Sequence, residues 1–441
     1  MRMPRHPARL PDLIERCAER LTKILPTVTR PDVGGRYLHW DEIRHRDPPE
    51  GLNHEEWWLG LKFARTTLQQ ATPIPDVDGH PFVFSQPAGV QEALHQVTQQ
   101  ASGSMGAADQ VTHEDTRDRN LIRNLREEGI ASSLIEGAAT TREDARRMLR
   151  ANRAPRSHGE QMVLNNFTAM RYIIGLDRAP LTVETILHLH ELLTHNTLED
   201  PAAAGRLRGP CDRIQVVDDT TDEVLHDAPP AHLVPSRLEQ LCRFANHEIP
   251  DSFVHPVVRA ILLHFWLAYD HPFVDGNGRC ARALFYWSMM QQDYWLFQFI
   301  SISRVIYNAP IQYGRAFLHT ETDGNDVTYF VIHQLDVIQK ALDELHGYLD
   351  RKVAERRALE RRIRHEAFFN VRQLELIGHA LRHPDAQYDI RSHQADHGVV
   401  YQTARTDLHD LADRGIFVRR KIGRTWYFSP SPDLDTQLDE L

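Results

Sequence analysis

The residues whose types and spacing could do chemistry lie in one stretch, HPFVDGNGR, which begins at His271. Apolar residues before and after it recur at helical spacing, so the stretch should form a tight loop that opens a helix. The first turn of a helix presents unpaired backbone N–H groups and a partial positive charge. Because Gly276 and Gly278 carry no side chains, a ligand can reach this backbone. The loop therefore predicts a phosphate-binding site.

Charged side chains around the loop extend this prediction to a polyphosphate with a metal ion. Arg279 and Arg282 are three residues apart and would share one helix face. Asp275 supplies a hard oxygen ligand of the kind that Mg²⁺ uses when phosphates supply the others. His271 can accept a proton near neutral pH. Glycine turns alone are ordinary, but these residue types in this order indicate phosphate chemistry.

The stretch from His271 to Arg282 resembles the signature of the Fic domain family, H-x-F-x-D/E-G-N-G-R-x-x-R, with every fixed position present. Enzymes of that family typically transfer AMP from ATP to a hydroxyl side chain of a target protein. The resemblance implies that His271 deprotonates the target Ser, Thr or Tyr and that Asp275 binds Mg²⁺. It also places Asn277 and Arg279 on the phosphates, with Arg282 on the γ-phosphate.

The motif leaves the donor nucleotide open. Doc-like relatives, which resemble it but phosphorylate their targets, carry a lysine where this chain has Gly278, so the glycine favours nucleotidyl transfer. Mg²⁺ and ATP are the cofactor and co-substrate that the resemblance implies. Because the motif contacts phosphates and not bases, UTP, GTP or CDP-choline are alternatives. The partner is a target protein, with the chain itself as one candidate.

A second informative stretch, SSLIEG, begins at Ser132. Ser132 and Glu136 are four residues apart on one helix face, and Gly137 could end the helix. Alone, this pattern is an ordinary helix C-terminus. Beside a Fic-like motif it resembles that family's inhibitory sequence, S/T-x-x-x-E-G/N. The resemblance implies that Glu136 pairs with Arg282 and occupies the γ-phosphate position. In some relatives the equivalent glutamate also helps to remove AMP again, which the sequence leaves open here.

The elements that must position these residues are mainly α-helical. Two short β-prone runs, residues 213–217 and 223–226, predict a hairpin around a polar turn. In Fic proteins a hairpin flap lies over the active site. For this segment, a plain connecting loop is the alternative to such a flap. The predicted domains are a mixed N-terminal region (1–110), the Fic domain with inhibitory helix and flap (111–350), a charged helical linker (351–364) and a C-terminal domain (365–441).

The C-terminal segment resembles a winged helix-turn-helix, with helix, glycine turn, helix and basic hairpin in order. Asp407, Asp410 and Asp413 would repel phosphate if exposed. DNA binding through residues 365–441 therefore competes with dimerisation or target docking. The start of the second helix and the wing contain Gln402, Thr403, Arg405, Arg419, Arg420, Lys421 and Arg424.

Composition bounds the class of protein. The net charge of −10 gives no overall attraction to nucleic acid. The four cysteines form no CxxC pair, and His190 and His195 are five residues apart rather than the four of a zincin motif, so neither zinc nor a disulfide framework is indicated. No run approaches the roughly 20 apolar residues of a membrane helix. We expect a cytoplasmic protein with no membrane contact, and oligomeric state is left open.

One rival class of function fits the same sequence. In it, the Fic-like pocket senses a nucleotide and the C-terminal domain binds DNA as a transcriptional regulator. The two functions are compatible in one chain, since an enzyme can also regulate its own operon.

Overall fold

The protein is mainly helical, as its sequence predicts, in a computed structural model that describes residues 2–101, 114–212, 214–218, 222–362, 369–434 and 437–438. Among these residues, three small antiparallel sheets accompany the helices. Residue 213 of the predicted hairpin and residues 363–368 of the predicted linker and C-terminal domain lie outside the described residues.

The N-terminal region packs in two parts. Its first helices surround Trp57 and Trp58 in a core of their own. Ile74 and Phe82, from the first sheet, instead join the main core of the molecule. This packing does not test the predicted domain boundary near residue 110, which stays a prediction. The elements are α1 (Leu10–Cys17), α2 (Leu21–Thr27), α3 (Trp40–Ile43), α4 (His54–Thr66), β1 (Gln69–Pro75), β2 (Pro81–Ser85) and α5 (Ala88–Ala101).

The middle of the chain supplies most of the main core. Its elements are α6 (Glu114–Ile135), α7 (Arg142–Arg150), α8 (His158–Gly175), α9 (Val183–Thr194), β3 (Gln215–Val217), β4 (Val224–Asp227), α10 (Val234–Ala245), α11 (Pro256–Asp270), α12 (Asn277–Gln291), α13 (Ile302–Asn308), α14 (Pro310–Thr322) and α15 (Thr328–Arg362).

Helix α11 is the centre of this core. Every residue from Val257 to Asp270 is buried, which explains why the sequence here is apolar on all sides rather than amphipathic. Pro256 stands in its first turn, where a missing N–H costs nothing. Helices α11 and α12 pack against each other, so the loop between them is held at both ends by buried helices.

Side-chain caps fix where the neighbouring helices begin. The Ser157 hydroxyl accepts from the N–H of Glu160 at the start of α8, and the Thr182 hydroxyl accepts from the N–H of Thr185 at the start of α9. Each bond satisfies one of the unpaired N–H groups that a helix start leaves.

Strands β3 and β4 form the predicted hairpin. Gln215 pairs with Asp227, Val216 with His226 and Val217 with Val224, with a register shift between the last two pairs. The side chains of the three valines are exposed, whereas His226 is buried against the end of α11.

Residues 369–434 have a separate core. It forms around Ile377, Leu408 and Phe428. The three strands are antiparallel, and Thr425–Pro430 lies between Tyr388–Asp389 and Phe417–Ile422. The elements are α16 (Val371–Arg382), β5 (Tyr388–Asp389), α17 (Ile390–His397), α18 (Tyr401–Asp413), β6 (Phe417–Ile422) and β7 (Thr425–Pro430).

The aspartates of α18 are paired within the domain. Asp407 is 3% exposed and accepts hydrogen bonds from Arg372, Asn370 and His393. Asp410 and Asp413 pair with Arg414 and with Arg419 of the wing, respectively. Asp407 is therefore not exposed. The repulsion of phosphate that we expected from exposed aspartates does not apply to it.

The charged run at 351–362 continues α15 rather than forming a separate helix. Among the described residues, the structure contains no helix with enough length and apolar character to cross a lipid bilayer.

Candidate active site

The motif forms the loop that joins α11 to α12. His271 ends α11 with a φ of +42°, and Gly276 starts α12 with a φ of +84°. Both values are left-handed, so the chain reverses sharply between them. A Cβ at Gly276 would also lie 3.0 Å from Cγ2 of Thr194, so glycine is required both by conformation and by space.

Asn277 holds this loop closed. Its Oδ1 accepts from the N–H of Phe273 at 2.9 Å, and its Nδ2 donates to the carbonyl of Phe273 at 2.9 Å. Both polar atoms are thus engaged within the loop. The phosphate-binding role that we expected for Asn277 stays a prediction, while the contacts found here position the loop.

Asp275 and Arg279 form an ion pair beside the start of α12. Nη2 of Arg279 lies 2.8 Å from Oδ2 of Asp275, and its Nη1 donates to the carbonyl of Leu193 at 3.1 Å. Arg279 is 1% exposed, whereas the Asp275 side chain is 52% exposed. A buried cation therefore orients a carboxylate that is open to solvent, as a metal ligand would need to be.

His271 is held in a neutral state. Its pKa is lowered to about 4, chiefly by burial and also by the neighbouring His226, while the carbonyl of Ala268 and the charge of Glu136 act in the opposite direction. The rings of His271 and His226 lie 5.9 Å apart. At pH 7 the His271 imidazole is uncharged and can accept a proton.

Arg282 is covered by the segment that contains Ser132 and Glu136. Its Nη2 donates to Oε1 of Glu136 at 2.8 Å and to the carbonyl of Ser132 at 3.0 Å, and its Nε donates to the Ser132 hydroxyl at 2.9 Å. Burial lowers the pKa of Arg282, but the charge and hydrogen bond of Glu136, together with Tyr313 and Glu128, outweigh it and the pKa is raised. The structure thus brings Ser132 and Glu136 to Arg282, which lies 150 and 146 positions later in the chain.

Gly137 allows the turn that carries Glu136 to this place. It has a φ of +79° two residues after Ile135, the last residue of α6. The N–H of Ala138 then bonds to the carbonyl of Ser133, which closes the helix end.

The carboxylate of Glu136 lies directly over the start of α12. A Cβ added to Gly278 would stand 2.3 Å from Oε1 of Glu136, so the carboxylate rests where that side chain would be. An anion therefore already contacts the helix end that the sequence predicts as a phosphate site.

His190 is a positioning residue that sequence reasoning missed. Its Nδ1 accepts from the N–H of Gly205 at 3.0 Å, so its Nε2 carries the proton and donates to the carbonyl of Asp275 at 3.0 Å. Its ring stacks on Phe273 at 3.8 Å. A lone histidine on a helix gives no signal for this, because Gly205 and Asp275 are remote in sequence.

Arg208 and His226 fasten the other side of the loop. Nε of Arg208 donates to the carbonyl of His271 at 2.7 Å, and its Nη2 bonds to the carbonyl of Pro229. His226 contacts the carbonyl of Tyr269 at 2.8 Å and the carboxylate of Glu321 at 2.7 Å. The hairpin is thereby joined to the end of α11 beside His271.

Comparisons with known proteins find relatives of the middle of this chain. The model of the Fic/DOC family matches residues 180–289. Protein adenylyltransferase Fic of Drosophila melanogaster is 32% identical over 134 residues, which cover 30% of this chain and 25% of the fly protein. Protein adenylyltransferase fic-1 of Caenorhabditis elegans is 28% identical over 145 residues, which cover 32% of this chain and 25% of the nematode protein. The chain thus spans about a quarter of the length of these curated relatives.

Solved structures of the family are also similar in part. A Fic family protein from Desulfovibrio desulfuricans has a TM-score of 0.47 at 20% identity, with 78% of this chain and 94% of that chain covered. A Fic domain containing signaling protein from Bacteroides thetaiotaomicron has a TM-score of 0.47 at 18% identity, with 58% and 97% covered. Residues 180–289 of this chain thus match the Fic/DOC family model.

Proposed function

We propose that the protein is an adenylyltransferase that moves AMP from ATP to a Ser, Thr or Tyr hydroxyl of a target protein. The names of the fly and nematode relatives support this reaction class. The observation that carries the proposal is the position of Glu136, whose carboxylate lies over Gly278 and pairs with Arg282. A carboxylate in that place supports an anion-binding function for the start of α12.

His271 is the proposed general base. Because its pKa is about 4, the ring is neutral at pH 7 and can take the proton of the attacking hydroxyl. The hydroxyl oxygen would attack the α-phosphorus of ATP, and pyrophosphate would leave. A positioned base contributes about 10²–10⁴-fold to such a rate.

Mg²⁺ fits the residues present. Asp275 offers a half-exposed carboxylate beside the anion site, and one carboxylate with phosphate oxygens is a donor set that this ion uses. When bound, the ion would neutralise charge on the phosphates. The chain's own contribution is the orientation of Asp275 by Arg279 and of the loop by Asn277.

Glu136 is the proposed inhibitory residue. A carboxylate and a phosphate oxyanion compete for the same guanidinium, so Glu136 on Arg282 would keep the γ-phosphate of ATP from binding productively. A cytoplasmic location stays a prediction, and removal of AMP by the same glutamate and self-association stay open.

Residues 369–434 are the basis for a second, compatible function. We assign them as a winged helix-turn-helix, in which α17 and α18 meet at Gly398 and β6 and β7 form the wing. Gln402 and Arg405 are exposed near the start of α18, as DNA contact would need. A specific shift of a promoter fragment by the full chain, weakened by Arg405→Ala, would support a regulator. Val400 is also exposed there and favours a protein partner instead.

Self-modification tests the enzymatic proposal. The wild type, Glu136→Gly and Glu136→Gly/His271→Ala are incubated with Mg²⁺ and ATP labelled at the α-phosphate. We expect label in the single variant and none in the double variant, with ATP binding retained in both. If the double variant loses both the label and ATP binding, His271 has a structural role instead. No label in any folded variant, with UTP, GTP and CDP-choline included as donors, would contradict the transferase proposal.

A further inference from the structure

A second basic region lies on the other side of α6 from the motif. Two clefts of about 500 and 720 Å³ open between α6, α7, α13, α15 and α17. Arg123, Glu127, Arg304 and Tyr348 line both clefts, so the two adjoin along α6 and form one groove. We call it the arginine groove.

Cations outnumber carboxylates in its larger cleft. Six arginines line it with three carboxylates, Glu127, Glu143 and Asp396, and Arg304 also pairs with Glu344 of the smaller cleft, so cations are still in excess. The excess positive charge is drawn from three different helices rather than from one charged face. The arginines are Arg123 and Arg126 of α6, Arg146, Arg147 and Arg150 of α7, and Arg304 of α13.

Several of these guanidinium groups lack full partners. Among the described residues, Nε of Arg126 and Nε of Arg304 are buried without a hydrogen-bond partner. Arg126 and Arg150 reach Asp396 only at 3.5 and 3.8 Å. Burial lowers the pKa of both Arg126 and Arg304, and neighbouring arginines add to this effect. The groove therefore holds cations that an incoming anion would stabilise.

We propose that the arginine groove binds a small anion that carries two or more phosphate groups. Guanidinium forks match phosphate oxygens in pairs, and arginines from α6, α7 and α13 converge on one concave space. The carboxylates of Glu127, Glu143 and Asp396 divide this positive charge into short stretches, which suits a compact oligophosphate. A long nucleic acid backbone would meet those carboxylates along its length.

A ligand in the groove would join α6 to its neighbours. It would contact Arg126 on α6, Arg147 on α7 and Arg304 on α13 at once, and so would add a restraint to helices that already pack through buried side chains and ion pairs. We expect slower amide exchange in residues 121–135 when the groove is occupied. This site does not depend on the proposed transferase activity.

Calorimetric titration of the full chain with sodium tripolyphosphate tests the proposal. The test variant is Arg126→Gln/Arg304→Gln. The matched control, Arg178→Gln/Arg243→Gln, removes the same charge from exposed arginines that form ion pairs elsewhere. We expect affinity to fall about tenfold or more in the test variant, since two charge-assisted contacts are lost, and less than about twofold in the control. Arg147→Gln, whose side chain is 70% exposed and tolerant of change, should lose about threefold if the double variant does not fold.

The Arg282→Gln variant separates the groove from the motif. Binding that persists in it supports the groove, whereas binding that disappears only with Arg282→Gln would place the anion at α12 and overturn the proposal. Equal losses in the test and control variants, or no loss in either, would also overturn it. GTP is titrated into Arg282→Gln as well: affinity equal to that of tripolyphosphate identifies the phosphate chain as the recognised part, and higher affinity identifies a nucleotide.

Discussion

Two glutamates of one segment, Glu128 and Glu136, show how differently a carboxylate can be used. Glu128 is 1% exposed and accepts hydrogen bonds from the hydroxyl of Tyr286 at 2.8 Å, from the hydroxyl of Ser301 at 2.7 Å, and from the N–H and hydroxyl of Ser303. Glu136, eight residues later, has a side chain that is 25% exposed and rests on one cation.

The difference lies in what could replace each carboxylate. The donors around Glu128 belong to neutral groups that are sealed inside the core, so no ligand can take its place. The donor for Glu136 is a guanidinium beside a helix start, which a phosphate could bind equally well. The same segment therefore has one contact that fixes it to the core and one that can be exchanged.

The largest effect should come from breaking the fixed contact. Glu128→Ala leaves the buried hydroxyls of Tyr286, Ser301 and Ser303 without their acceptor, and we expect a loss of about 3 kcal/mol or more in the free energy of unfolding. Urea unfolding followed by circular dichroism measures it. Glu143→Ala, which removes an exposed carboxylate on α7, is the control and should cost less than about 0.5 kcal/mol. If Glu128→Ala and Glu143→Ala had the same free energy of unfolding, Glu128 would not be a fixed contact to the core.

The exchangeable contact should show the opposite behaviour. Glu136→Gly should lower the free energy of unfolding by about 2 kcal/mol or less, because the hydroxyl and carbonyl of Ser132 still accept hydrogen bonds from the buried Arg282, and should raise the affinity for ATP by about tenfold or more. Calorimetry with ATP and Mg²⁺ measures the gain. Glu136→Gln, which keeps the size and removes the charge, should give part of it. ATP affinity that stays at the wild-type value in both variants would show that Glu136 does not compete with the nucleotide.

The sequence was most informative where the interacting residues are neighbours in the chain. The loop from His271 to Arg282 could be read as a helix start with two cations because a helix places such residues together by its own geometry. The contact of Glu136 with Arg282 crosses 146 positions, and only a resemblance to known inhibitory sequences suggested it.

The residues that were missed are those whose partners are remote. In the sequence, Glu128 is one of many charged residues on α6, and nothing near it indicates its contact with Ser303. Likewise, His190 belongs to a rejected metal motif, and nothing near it indicates its contact with Asp275. For Asn277 the expected residue was present, but its side chain turns inward to Phe273. Burial and tertiary packing decide such roles, and neither is visible in residue type or spacing.

Ser132 should have a smaller effect than Glu136. Its hydroxyl accepts from Nε of Arg282, but Ser132→Ala leaves the backbone carbonyl contact and the Glu136 contact in place. One neutral acceptor to a charged donor is worth about 1.5 kcal/mol or less here, so ATP affinity should rise by less than about tenfold. Ser133→Ala is the adjacent control, since its hydroxyl bonds to the carbonyls of Gly129 and Met162. The control should alter stability and not ATP affinity, and the reverse pattern would contradict the assignment of Ser132.

The smallest effect should appear at His271. The charge of Glu136 raises the pKa of His271, so Glu136→Gly should lower that pKa slightly below its value of about 4, whereas Glu128→Gln should leave it nearly unchanged. NMR titration of the imidazole measures it, with His271→Gln to assign the signal. Because an unfolded histidine titrates near pH 6.5, the unfolded chain binds more protons than the folded one between pH 6.5 and about 4. This residue's contribution to stability is therefore present above pH 6.5 and falls as the pH is lowered through that window. A pKa of His271 that rises in Glu136→Gly would mean that the carboxylate acts on the imidazole through packing rather than through its charge.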